Sequence, residues 1–519
     1  MGYDYSRDEY AGLSGYFRLK GDKEPLVTVD DITWNDLDMD ALFRIIDNTC
    51  TQNGGEYLYD MLRRPLIAPE EEAVLKERGR VSGLFMARPE LRDRYSEALG
   101  GRERLGKACF RERVAGLNEI REDNDLIHIL ALILGLVSIA FIFILPPLGF
   151  FLFIIASAFN VGTYFKRKNE INTFLPVFRN LILETREIPK LLKYRAPELS
   201  EYEKRLENAL LRLKSVSRGS FIVMSGKRLT GGLLELPLDF LRIFFHLDLL
   251  RLNGMIRAVK REREAVEELF NLTGFLDAMI SLSLFKEKFG TFTEPVFREG
   301  SSLEIRKGFH PLLKDPVPFD VDNVSLMLLT GSNASGKSTF LKAAAISVLL
   351  SETLYTVPAE YYSADRMELL SSMSLRDDLI KGDSLYVTEI KSVQRIVEAQ
   401  KKGRKTAVFL DEVLKGTNTV ERIASLSVLL KHISGNSLVF AATHDTPITY
   451  ILEDLYDNYH FEEQVTEEGI SFPYELKKGR TESRDAIRLL SVMGFDDTIT
   501  REAFELSEEF LKEGEWKKI

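Results

Sequence analysis

At 519 residues the chain is too long for one hydrophobic core, so roughly two to four domains are expected. A hydrophobic fraction of 45% and a charged fraction of 29% exclude a disordered chain. A net charge of −10 excludes a surface that grips nucleic acid everywhere, so any DNA contact needs a local basic patch or closure around the duplex.

Residues 1–30 read as a polar, Tyr-rich arm without the apolar stretch of a secretion signal, so none is expected. Residues 31–125 read as helical. Leu42, Ile45 and Ile46, then Leu58, Met61 and Leu62, space out two helices with a break at Gly54-Gly55 and a stop at Pro65. Val74, Leu75, Val81, Leu84 and Phe85 continue the helical spacing. Cys50 and Cys109 make neither a disulfide framework nor a metal site, and both are expected as small buried hydrophobes in a reducing compartment.

From Leu126 to Phe165 no Asp, Glu, Lys or Arg occurs in forty residues, and Pro146-Pro147 divides the stretch into halves. Each half is about long enough to cross a hydrocarbon layer of about 30 Å at about 1.5 Å per residue. The expectation is a two-helix transmembrane hairpin in contact with lipid over residues 126–165. Lys166-Arg167-Lys168 supplies the positive flank of a cytoplasmic side, and His128 would sit at headgroup level. Residues 166–300 return to helical patterns, with one long run from Leu233 to Phe270 whose aromatic stripe around Phe240–Phe245 reads as core. The mixed charges from Arg257 to Glu268 read as a solvated helix face. Residues 301–519 shift to short apolar runs separated by helices, the pattern of an α/β domain.

Three strand tips in that last part carry the chemistry. Leu326–Thr330 runs into Gly331-Ser332-Asn333-Ala334-Ser335-Gly336-Lys337-Ser338-Thr339 and then a strong helix former, so a strand, a Gly-rich loop and a helix follow in order. Backbone N–H groups and the helix N-terminus would cradle the phosphates of ATP. Lys337 would reach the β- and γ-phosphates, and Ser338 would ligate Mg²⁺. Thr406–Leu410 reads as a buried strand ending in Asp411, for Mg²⁺, and Glu412, for the attacking water. Ser437–Thr443 delivers His444 to the same sheet edge, facing the γ-phosphate.

These stretches closely resemble the ATPase domain of MutS-type mismatch-repair proteins, within the ABC superfamily. Thr330 to Thr339 looks like the family's T-G-P-N-M-G-G-K-S-T, and Arg376 to Glu389 is similar to its S-D-D-L-x-x-G-x-S-T-F-x-x-E segment. Asp411 to Thr419 looks like D-E-x-x-R-G-T-S-T, and Ala442-Thr443-His444 like A-T-H. The segment 36–66 also resembles the start of the family's lever domain. The resemblance implies an α/β P-loop ATPase domain preceded by an all-α lever-like region, here carrying the hairpin. It implies a homodimer through the ATPase domain, with Ser384 touching the partner's γ-phosphate, Glu389 near the metal and water, and Tyr474 against adenine. The tail from Asp485 to Phe510 is similar to the helix pair that joins subunits. Departures accompany these matches. Nothing corresponds to the mismatch-reading domain, Asp383 replaces an Arg, and Leu385 replaces a Thr.

The expected protein is a membrane-anchored ATPase with its ATPase domain in the cytoplasm, coupling a dimer cycle to work on double-stranded DNA. The alternative is a mechanochemical membrane ATPase that acts on a protein or lipid partner and has no DNA role. Half of an ABC transporter is disfavoured, because no L-S-G-G-Q precedes Asp411.

Overall fold

The computed structural model describes residues 7–21, 27–102, 104–106, 108–217, 235–332, 335–373, 385–466, 469–480, 487 and 494–518. They form two compact units, one of Met1–Pro25, Arg44–Met61 and Arg80–Glu287, the other of Leu26–Phe43, Leu62–Gly79 and Lys288–Ile519.

The first unit is helical, and its core lies along the helix Arg263–Phe289, where Leu269, Phe270, Leu276 and Phe285 are buried. One acid on that helix fixes the start of the unit. Asp277 accepts from the backbone N–H groups of Cys50 at 2.8 Å and Thr51 at 2.9 Å and from the Thr51 hydroxyl at 2.6 Å. Gly54 makes this approach possible, since a Cβ there would stand 2.2 Å from the Asp277 carboxylate. Gly54-Gly55 is therefore no interruption. Both lie in the first turn of the helix Gln52–Arg63, and the break falls at residues 47–51. Burial pushes the Asp277 carboxyl up to about 6, against the pull of those donors. Asp277→Leu orphans three buried donors at about 1–3 kcal/mol each, so the thermal midpoint of this unit should fall sharply, as read by circular dichroism.

The residues expected as a polar arm form the helix Arg7–Gly21, held because Leu13 and Tyr16 are buried and Lys20 pairs with Asp60 at 2.8 Å. The run from Leu233 to Phe270 is likewise not continuous. His246, at φ +56, separates the helix Glu235–Phe245 from Leu247–Arg261. Helices Asp125–Ile144 and Pro146–Ile171 pack on each other and on Glu235–Phe245, whose Phe244 and Phe245 close over Gly135. Ala131, Gly135, Ser138, Gly149, Ala156 and Asn160 are buried, while Ile133, Leu136, Phe143 and Ile154 are exposed. By length and composition these two helices and Arg263–Phe289 could cross a membrane, but the third buries most of its apolar residues inside the unit. His128, near the start of the first of these helices, is buried against His246. Arg167, expected in a positive flank, is also buried, donating to the Arg121 carbonyl at 2.9 Å.

The second unit contains two sheets. Strands β1 (Val296–Phe297), β2 (Leu303–Gly308), β3 (Phe319–Val324) and β5 (Tyr361–Ala364) form a four-stranded sheet in the order β1-β5-β2-β3. Strands β4 (Leu326–Thr330), β6 (Glu368–Ser372), β7 (Thr406–Asp411), β8 (Ser437–Ala442), β9 (Asp457–His460) and β12 (Lys477–Lys478) form a six-stranded sheet in the order β12-β9-β4-β8-β7-β6. Only β12 runs antiparallel in that sheet. Strands β10 (Gln464–Thr466) and β11 (Gly469–Ser471) pair as a hairpin. A parallel sheet needs cover on both faces. The helix Lys337–Leu354, buried nearly all round, lies against one face, and Val393 and Ile396 of Leu385–Lys401 with Leu426 and Leu430 of Thr419–Ile433 pack on the other.

Residues 26–43 and 62–79, which the sequence groups with the helical region, pack in this unit. Their hydrogen bonds explain why. Asp36 accepts from the Ser371 hydroxyl at 2.7 Å and the Met373 N–H at 2.9 Å, and Arg395 pairs with Asp30.

Candidate functional site: three strand tips and two cavities

Parallel β4, β7 and β8 end at the same edge, so the residues that follow them converge. After β4 the chain turns through Gly331, at φ +141, where a Cβ would lie 2.7 Å from the Phe461 carbonyl oxygen. Gly336, at φ +103, then opens the helix Lys337–Leu354. These conformations are open to glycine and strained for other residues. Asn333 and Ala334 lie outside the described residues. Ser335 donates to the Ser332 carbonyl at 2.7 Å, and the Ser332 hydroxyl donates to Glu463 at 2.5 Å.

Lys337 is buried and folds back along its own loop, with Nζ donating to the carbonyls of Gly331 at 2.7 Å and Ser332 at 2.6 Å. Its ammonium is 3.8 Å from Glu412. Burial holds Lys337 below its ordinary range, while Glu412 and Asp411 oppose that shift. Asp411 is raised by burial, and a hydrogen bond from Ser338 acts against the rise. Among the described residues, the buried Asp411 Oδ1 has no hydrogen-bond partner. A hydroxyl beside a carboxylate with one orphaned oxygen is an all-oxygen donor set, and it fits Mg²⁺.

Glu412 sits at φ +51 with its N–H on the Ala442 carbonyl, which ties β7 to β8. Its carboxylate is flanked by ion pairs to His444 and Lys415. Burial alone would raise it, but the hydrogen bonds from His444 and Lys415 outweigh burial and hold it at about 2. The site thus brings Lys337, Ser338, Asp411, Glu412 and His444 together. Glu389 is buried and lines a cavity of about 180 Å³ with Ser372, Asp411, Glu412 and Lys415. Burial raises the Glu389 carboxyl, and the facing backbone N–H groups of Gly416, Lys415 and Leu414 counter that rise. Ser384, and the stretch from Arg376 to Asp383 around it, lies outside the described residues.

On the other side of the loop is a cavity of about 420 Å³, lined by Lys337, Ser338 and Thr339 together with His310, Phe461 and Tyr474. This volume suits a nucleoside-sized ligand. The Tyr474 ring lies over Gly336, where a Cβ would come within 2.9 Å of it. His310 is pushed down to about 4 by burial and by Lys342. Sequence reasoning missed His310, Glu463 and Lys415. The first two carry no motif, and Lys415 could have been singled out three residues after Glu412, where its chain reaches back to that carboxylate.

A family model described as MutS domain V matches residues 327–511. A "DNA mismatch repair protein MutS" from Aquifex pyrophilus is 30% identical over 272 residues, covering 50% of this chain and 31% of that protein. A protein of the same name from Carboxydothermus hydrogenoformans is 26% identical over 271 residues, covering 49% of this chain and 32% of its own length. "MutS protein homolog 4" from Homo sapiens is 24% identical over 392 residues, 67% of this chain and 41% of that protein. The matches to the two bacterial proteins span about a third of their length. The domain V match takes in every strand tip of the site, so residues 327–511 are similar to that domain of the MutS family.

Proposed function

We propose that the chain is a membrane-anchored ATPase of the MutS type, whose ATP-driven pairing through the second unit is coupled to DNA binding or DNA-repair work. The observation that carries this reading is the convergence of Lys337, the Ser338–Asp411 pair and the Glu412–His444 pair at one sheet edge. ATP is the substrate. Lys337 and the loop amides neutralise its phosphates, and Glu412, fully ionised at neutral pH, accepts a proton from the attacking water. His444 orients Glu412 and faces the γ-phosphate. Mg²⁺, held by Ser338 and Asp411, would supply charge neutralisation between the β- and γ-phosphates. Tyr474 stacks on the base. Stacking of a base on an aromatic ring is worth about 1–3 kcal/mol, so Tyr474→Ala should weaken ATP binding by about 5- to 150-fold in a titration.

The exposed apolar faces of Asp125–Ile144 and Pro146–Ile171 support lipid contact, with the ATPase part on the cytoplasmic side. Ile499 and Phe504, exposed on the helix Asp497–Glu513, favour a second copy as partner. A purely mechanochemical role on a protein or lipid partner is favoured by the net charge of −10. Binding to duplex DNA, measured across salt with and without ATP, separates the two. A DNA role predicts salt-dependent binding in at least one nucleotide state, whereas no binding at about 50 mM salt in any state leaves the mechanochemical role.

A further inference from the structure

At the base of the apolar helix pair, three side chains and a main-chain carbonyl form a line. The Asp123 carboxylate meets His128 Nε2 at 3.0 Å, His128 Nδ1 meets His246 Nδ1 at 2.8 Å, and His246 Nε2 meets the Asn160 carbonyl oxygen at 2.8 Å. Both imidazoles are buried, at 1% and 0% exposure. The Asn160 amide ties the same place together, donating to the carbonyls of Ala131 at 3.0 Å and Phe244 at 2.7 Å.

Counting protons along this line decides its state. A peptide carbonyl and an ionised carboxylate only accept, so each takes an N–H from the ring that faces it. A neutral imidazole has one N–H. Two neutral rings would spend both protons on the ends and leave two lone pairs confronting each other across the 2.8 Å Nδ1–Nδ1 contact. The contact closes with a third proton between the rings. We propose that His128 and His246 form a proton-binding site, holding one proton more than two neutral rings carry, with its charge balanced by Asp123.

The surrounding charges leave Asp123 as the direct counter-ion. Arg167 lies 3.4 Å from Asp123 but is shared with Glu170 at 3.0 Å and with the Arg121 carbonyl. Asp248 accepts from the Tyr164 hydroxyl at 2.8 Å, which also takes Lys168 at 2.9 Å, and Asp125 is paired with Arg257 at 2.7 Å. The His128 ring is the one that meets the Asp123 carboxylate directly, at 3.0 Å, and burial holds the His246 imidazole below its ordinary value. Losing the proton sets the two lone pairs against each other. His246 occupies the left-handed joint between Glu235–Phe245 and Leu247–Arg261, so the proton latches the first of these helices onto the helix pair. This site stands whether or not the pair crosses a bilayer.

Solid-state NMR of the full chain with ¹⁵N in the histidine rings reads the proton count directly, because a ring-to-ring nitrogen cross-peak identifies the pair with no substitution. The expected spectrum near neutral pH joins a protonated Nδ1 to an unprotonated Nδ1, with both Nε2 atoms protonated. Two unprotonated Nδ1 atoms, or no cross-peak, would overturn the assignment. Amide exchange of residues 241–250 gives a second readout, with Arg263–Phe289 as internal reference. Raising the pH should add a step that His128→Gln abolishes. A step that survives His128→Gln, or none in the unaltered chain, also defeats the proposal.

Discussion

Glu412→Gln is expected to lower kcat for ATP hydrolysis by about 10²- to 10⁴-fold while leaving ATP affinity within a few-fold. The amide matches the carboxylate in size and can keep the strained conformation at φ +51, but it cannot accept a proton from water. Binding should survive because Lys337 rests mainly on its own loop carbonyls, with Glu412 at the longer distance of 3.8 Å. Single-turnover hydrolysis beside a nucleotide titration checks both halves, and an unchanged kcat removes Glu412 from the chemistry. Lys415→Met probes the same carboxylate through pH. With the Lys415 ammonium gone, Glu412 rises from about 2 toward the ordinary carboxylate range. A base must be ionised to act, so the acid limb of kcat moves to higher pH in Lys415→Met, and Lys415→Arg restores it.

Membrane association is the second large effect. The intact chain should stay with the membrane fraction through high-salt and alkaline washes. Ile133→Arg places a charge on the exposed face near the middle of Asp125–Ile144, where Ile133 is 49% exposed. Insertion then costs about 2.5–3.5 kcal/mol, and the membrane-bound fraction should drop, while Ile133→Val changes nothing. This substitution is cleaner than removing residues 126–165, which would also strip Phe244 and His246 of their partners. An intact chain that washes off the membrane would end the anchoring proposal.

Much of the second unit was legible in the sequence because local signals there agree with the tertiary arrangement. Continuous apolar runs marked β4, β7 and β8, and glycines marked the turn before Lys337. What could not be read was cooperation over long separations. Gly54-Gly55 looks like a break until Asp277, far along the chain, is seen to require a missing side chain there. Asp36 gives no sign in sequence that it completes the β6 edge, a partner 335 positions away. His128 and His246 are ordinary in isolation and acquire meaning only where they meet. The large cavity was half legible, since its phosphate side carries a motif and its His310 and Phe461 side does not.

The grip of Asp277 on Thr51 spans 226 positions, and it sets an order of events at the ribosome. The first half of that pair must wait, unpaired, until almost the whole first unit has been synthesised. Closing so long a loop is entropically slow and exposes the waiting strand of chain to wrong partners. The greasiest stretch emerges in the interval, so whatever receives it does so before its own scaffold exists.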